Sequence, residues 1–206
     1  MIDAGSLDLY FYEVPVSDWK NSTTQRKVRP MPPITMVFVI TGLAVFVQAM
    51  FFLGIGANGA VGKKSPIVSA GWIALVAGVV DLIVGLYITV ARPIEPDPSL
   101  LLAGLIAFYG LFFVALGLTE ILDLDLRVVG NLAIPTAILP LAWLNFFSGS
   151  VTFTLIIIWW VIAFLSITLT TYGKMQAKVL GIILMITALF TFFLVPILLV
   201  LGVAIP

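Results

Sequence analysis

Ile67-Val-Ser-Ala-Gly-Trp-Ile-Ala-Leu-Val-Ala-Gly-Val-Val-Asp81-Leu-Ile-Val-Gly-Leu-Tyr-Ile-Thr-Val-Ala91 holds a single charged side chain, Asp81, in an otherwise apolar run. About 20 mostly apolar residues are enough to cross a bilayer core as a helix. The run is too long and too little alternating for a barrel strand, and in lipid only a helix satisfies its backbone internally. Five further runs of the same kind cover 34–54, 100–118, 128–147, 152–172 and 179–203. The predicted fold is therefore all-α, a polytopic membrane protein built as a six-transmembrane-helix bundle. Residues 34–206 are expected to form the six-helix transmembrane domain, and 1–33 an extramembrane N-terminal tail.

The composition agrees. Of 206 residues, 62% are hydrophobic and 10% charged, with a mean hydropathy of +1.22; a soluble domain carries about a quarter charged residues. Ten Lys and Arg against ten Asp and Glu give zero net charge, so nucleic acid is not an expected partner. The chain has no Cys and no His, which removes thiolate and imidazole zinc sites, His or Cys haem ligation, iron–sulfur clusters and Ser-His-Asp or Cys-His catalysis. We expect no enzyme activity, no metal site and no cofactor.

Short polar breaks at 54–64, 92–98, 122–127, 148–150 and 173–178 join neighbouring antiparallel helices. No three-plus-three repeat is evident, which speaks against an inverted-repeat transporter. Lys63, Lys64, Arg127, Lys174 and Lys178 fall on one side, and Lys20, Arg26, Lys27, Arg29 and Arg92 on the other. The inter-helix loops alone favour the Lys63 side as cytoplasmic and both termini outside. In the tail, Leu7, Leu9, Tyr10, Phe11, Tyr12, Val14, Val16 and Trp19 form an aromatic-rich cluster, suited to interfacial anchoring or to docking on a neighbouring subunit.

Asp81 lies at mid-membrane depth, where ionisable groups are rare and functional by default. It shares a stripe with Gly71, Ala74, Gly78 and Gly85, matched in the third span by Ala103, Ala107, Gly110, Val114 and Gly117. Small residues at that spacing predict close packing of the second and third helices. With no Lys or Arg inside a span, two readings of Asp81 stand: a neutral carboxyl hydrogen-bonded across that pair, or a proton-coupling or pore-facing group. Glu120, beside Asp123 and Asp125, reads as interfacial. Thr41 and Gln48 share one face of the first span, and Gln48 offers donors and an acceptor. Tyr109, Phe112 and Phe113 mark the third span, and Trp159, Trp160 and Phe164 the fifth. Pro135 and Pro140 in the fourth span and Pro196 in the sixth free backbone carbonyls and predict kinks.

Several segments resemble the AmiS/UreI family of six-span urea and short-chain amide channels. Phe46-Val-Gln-Ala-Met-Phe-Phe-Leu-Gly54 is similar to the family's Phe/Leu-Val-Asn-Gly-x-x-x-Leu-Gly, with Gln48 at the Asn position. Leu124-Asp-Leu-Arg127 resembles its Gly-Leu-Asp-x-Arg element, followed by Asn131-Leu-Ala-Ile-Pro-Thr-Ala-Ile-Leu139. Ile156-Ile-Ile-Trp-Trp160, Tyr172-Gly-Lys174 and Phe190-Thr-Phe-Phe-Leu-Val-Pro196 resemble the aromatic fifth span, the Gly-Lys turn and the Thr-Ala-Trp-Ile-Pro segment. Two departures matter. The Glu that the family places before that last segment falls here at Thr187 or Ala188, and the histidines of acid-gated members are missing, so histidine gating is excluded.

The resemblance implies a passive channel for small neutral amides such as urea or acetamide. It would be a homo-oligomer, by resemblance a ring such as a hexamer, multi-pass in a bacterial or archaeal inner membrane. Its partners would be membrane lipid and the solute. Candidate pore-lining residues are Thr41, Gln48, Tyr109, Phe112, Trp159, Trp160, Phe164 and Thr187, with Asp81 as a buried acid. The alternative is a structural subunit of a larger membrane complex that docks partner subunits through its tail; a third reading is a proton-coupled transporter working through Asp81.

Overall fold

A computed structural model describes residues 33–56, 65–94 and 96–203. All its regular structure is helical: α1 (Pro33–Leu53), α2 (Pro66–Ala91), α3 (Pro96–Ile121), α4 (Leu126–Ile138) with a 3₁₀ extension (Leu139–Leu144), α5 (Val151–Thr171), and α6 (Ala177–Ile186) running through a π-helical segment (Thr187–Phe193) into α7 (Leu194–Val200). They make six spans long and apolar enough to cross a membrane. The tail cluster and Lys63 and Lys64 lie outside the described residues.

The helix ends follow local chemistry. Pro66 starts α2, where a missing N–H costs nothing. The Asp125 and Ser150 side chains accept from the backbone N–H groups of Arg127 and Phe153, capping α4 and α5. Past α5 the chain turns at Gly173, whose φ of +66° an L side chain rarely adopts.

Close packing of α2 on α3 is as the small-residue stripes predict. A Cβ on Gly78 would stand 2.6 Å from the carbonyl oxygen of Gly110, and one on Gly117 would stand 2.5 Å from the Leu75 amide nitrogen. Glycine alone lets these backbones meet. The opposite side of α2, with Trp72, Val76, Val79, Ile83, Leu86 and Val90, is exposed and apolar, as a face turned to lipid must be.

The two spans expected to kink at proline do so in different ways. The fourth ceases to be α-helical at Ile138, because Pro140 has no N–H to continue the ladder; the chain tightens into the 3₁₀ turn and Asn145 sits in the irregular stretch after it. Trp143 at this turn donates from Nε1 to the Leu101 carbonyl at 2.9 Å, fixing it to α3. In the sixth span, Pro196 has no N–H for the carbonyl of Phe192, and the Thr187 and Thr191 hydroxyls each donate to the carbonyl four residues back, at 2.7 Å. The ladder is rearranged there, and the turn widens into the π segment. This widened turn packs on α1 at Gly42, where a Cβ would come within 2.7 Å of Phe192.

Candidate solute cavity

Two residues on one face of α1 each meet a carboxyl group from another helix. Thr41 donates from Oγ1 to Asp81 Oδ2 of α2 at 2.7 Å, and Gln48 donates from Nε2 to Glu120 Oε2 of α3 at 2.6 Å. All four side chains are buried. Asp81 thus finds its partner on α1 and not across the α2–α3 pair, which was one of its two readings; on the α3 side it faces Gly110, too close for a side chain. Glu120 is a correction of a different kind. It was expected at the interface with Asp123 and Asp125, yet it is 3% exposed, because α3 continues to Ile121 and turns this carboxyl inward toward Gln48.

Below the Gln48–Glu120 pair lies a cavity of about 240 Å³ between α1, α3, α4, α5 and the sixth span. Its wall is an aromatic cluster. Tyr109 meets Trp160 edge-on at 4.7 Å between centroids and stacks on Phe164 at 5.5 Å; Phe112 meets Phe164 edge-on at 4.8 Å. Trp160 in turn stacks on Phe192 at 5.3 Å and donates from Nε1 to Thr191 Oγ1 at 2.9 Å. Beyond Phe192 the bundle is filled by Phe38, Phe153 and Phe147, with centroid separations of 5.9, 6.4 and 5.1 Å along the chain of rings. At the other end the cavity is bounded by Leu126, Val129, Thr170, Thr171 and Leu180, where α4 and α6 begin and α5 finishes.

The polar atoms left without partners among the cavity-lining residues are few. The Thr187 hydroxyl donates to Ile183 and accepts from Trp159 Nε1 at 3.0 Å, while Thr170 and Thr171 donate to carbonyls of their own helix. By contrast, Gln48 Oε1 and the Tyr109 hydroxyl are buried with no protein partner. An acceptor and a donor thus remain unspent among the cavity-lining residues, and buried polar groups ordinarily find partners.

Of the residues singled out from the sequence, Gln48, Tyr109, Phe112, Trp160, Phe164 and Thr187 line this cavity. Thr41 is engaged with Asp81 outside it, and Trp159 stands behind Thr187. The lining also includes Glu120, read from the sequence as interfacial, and Phe192, which was not a candidate. A polar Gln48 with no other partner in reach of α1 was the signal available for Glu120; Phe192 is one phenylalanine among many in the sequence.

At the cavity's helix-end rim, Asp125 and Arg127 form an exposed ion pair at 2.6 Å. The Arg127 side chain and amide hold the Asp125 carboxyl down from its ordinary 3.8 to about 2.

No family model and no curated protein matches the chain. Among solved structures, the Helicobacter pylori urea channel in its closed state, determined by cryo-electron microscopy, is similar: TM-score 0.67, 15% sequence identity, 82% of this chain and 97% of that one covered. The chain is a multi-pass helical membrane protein with a fold like that of this urea channel.

Proposed function

We propose that the chain is a passive channel for small neutral amides, with urea and acetamide as the solutes to test first. The observation that carries this reading is the cavity itself: aromatic walls with one unspent acceptor, Gln48 Oε1, and one unspent donor, the Tyr109 hydroxyl. An amide brings an NH₂ and a carbonyl on a small flat frame, and so complements both atoms while its faces lie on the rings. Narrow aromatic passages with a few hydrogen-bonding groups are a general means of selecting such solutes. Gln48, Tyr109, Phe112, Trp160, Phe164 and Thr187 are the assigned pore-lining residues.

The fold likeness to a urea channel supports the channel reading, while membership of the AmiS/UreI family rests on the sequence segments that resemble it. The assembly we assign is a homo-oligomeric ring in a bacterial or archaeal inner membrane, its N-terminal tail outside the bilayer. With no histidine in the chain, gating does not run through imidazole protonation.

Stopped-flow light scattering on proteoliposomes under urea or acetamide gradients tests the proposal. Flux well above that of empty liposomes, saturating weakly and reduced in Gln48→Leu, is the expected result. Flux equal to that of empty liposomes from a folded protein overturns it and favours a structural subunit, which would copurify with partners in fixed ratio.

A further inference from the structure

We infer that Glu120 acts as a positioning residue: it fixes the side-chain amide of Gln48 so that the carbonyl Oε1, not the NH₂, is left for a solute. The site then prefers solutes that carry N–H donors over solutes that only accept. This rests on the proposed channel for the identity of the solute, but the polarity of the site follows from the pair alone.

A side-chain amide has two faces of opposite character, and its orientation in a cavity is set by whatever else it bonds. Here Nε2 donates to Glu120 Oε2 at 2.6 Å. That bond takes up the nitrogen end of the amide, so the oxygen end is turned away from Glu120. Gln48 is 3% exposed and Glu120 likewise, so the pair is shielded from bulk solvent. The backbone keeps Glu120 in place: it rests against Gly71 of α2, where a Cβ would stand 2.8 Å from Glu120 Cβ. Within this enclosure Gln48 Oε1 has no partner. A solute N–H that reaches it satisfies an acceptor that is otherwise buried and unpaired. A solute with only a carbonyl or sulfoxide oxygen faces oxygen with oxygen there, and can be held only by the Tyr109 hydroxyl. Sites built to hydrogen-bond a particular group reject analogues that lack it, because the site's own polar atom stays unpaired.

The test compares acetamide, which donates and accepts, with dimethyl sulfoxide, which is of similar size and only accepts. Binding to the detergent-solubilised full chain is read from tryptophan emission, with Trp160→Phe showing that the signal arises in the cavity; flux is read separately in proteoliposomes. The wild type is expected to favour acetamide by about tenfold, the range of one buried hydrogen bond. In Glu120→Gln, which keeps size and can pair with Gln48 in either orientation, the preference falls to about unity. In Gln48→Leu it falls equally, and the double variant is no lower than Gln48→Leu alone, since Glu120 acts through Gln48. A folded Glu120→Gln that keeps the wild-type preference overturns the inference, as does a wild type with no preference. Where Glu120→Gln does not fold, an unchanged preference in Gln48→Leu overturns it in its place. Binding preference as expected without flux overturns the channel and leaves the site; rapid flux with an unchanged preference in Glu120→Gln overturns the positioning role alone.

Discussion

Thr41 Oγ1 donates to Asp81 Oδ2 at 2.7 Å, and two turns along the same face of α1 the Gln48–Glu120 bond repeats the arrangement on a different helix. The first pair closes the α1–α2 contact away from the cavity; the second borders it. Two buried acids thus divide between a position outside the cavity and one that borders it. Asp81→Asn keeps a group that can accept from Thr41, so urea flux should persist at near the wild-type rate. Abolished flux in a folded Asp81→Asn would favour the proton-coupled reading. Thr41→Val removes the donor and should lower stability by about 1–3 kcal/mol, the cost of a buried polar group left unpaired, measured by thermal unfolding in detergent.

The α2–α3 contact makes a paired prediction. Gly78→Ala places a methyl group 2.6 Å from backbone atoms of Gly110 and Val114, which cannot yield without separating the helices. It should cost toward the upper end of the about 1–3 kcal/mol typical of overpacking. At Gly85 the nearest backbone atom would be 3.5 Å from the new Cβ, an ordinary contact, and alanine is the better helix former. Gly85→Ala should be neutral or mildly stabilising. Comparable losses at both sites in thermal unfolding would mean that the stripe is not read by distance in this way.

The fold was legible because its deciding signal is long-range and redundant: a lipid-facing helix must be apolar over its whole length, so six runs announce six spans, and glycines such as Gly78 and Gly117 at repeated spacing announce where two of them touch. The departures come from features that hydropathy does not carry. Pro140 and Pro196 were visible as breaks, but whether the chain tightens into a 3₁₀ turn or widens into a π segment depends on which carbonyls find other donors, such as Thr187 and Thr191. The site was legible where a polar residue stood alone in an apolar run, as Gln48 does. Glu120 was obscured because it lies near Asp123 and Asp125, so its sequence surroundings resemble those of a surface loop; only the extra turn of α3 brings it inside.

The Asp125–Arg127 pair titrates at the acid limit of the experiment. Asp125 is held at about 2 against an ordinary 3.8, by the Arg127 side chain first and its amide second. A lowered folded-state pKa means that the folded state binds the proton less readily than the unfolded one. The stabilisation is therefore complete above about pH 4 and is lost as the pH falls through about 2. Wild type and Asp125→Asn should differ in thermal unfolding near neutral pH and converge below about pH 2. A difference that persists undiminished in acid would assign the effect of Asp125 to its cap on α4 rather than to its charge.

Trp160 holds the cavity wall at two points at once, stacking on Phe192 and donating to Thr191 Oγ1 at 2.9 Å. The π segment that carries both partners is thereby tied to α5, and the rings beyond it fill the route toward Phe38 and Phe153. Trp160→Phe keeps a ring for stacking and removes only the N–H; the expected cost is about 1 kcal/mol in stability, with flux changed less than in Trp160→Ala. The alanine variant removes the ring that Tyr109 and Phe192 both rest on. It should raise the passage of larger solutes such as N-methylurea relative to urea, because the aromatic wall sets the width. If urea and N-methylurea change in equal proportion, the ring at 160 supports the bundle without defining the passage, and the selecting constriction must then be sought among Phe38, Phe153 and Phe192.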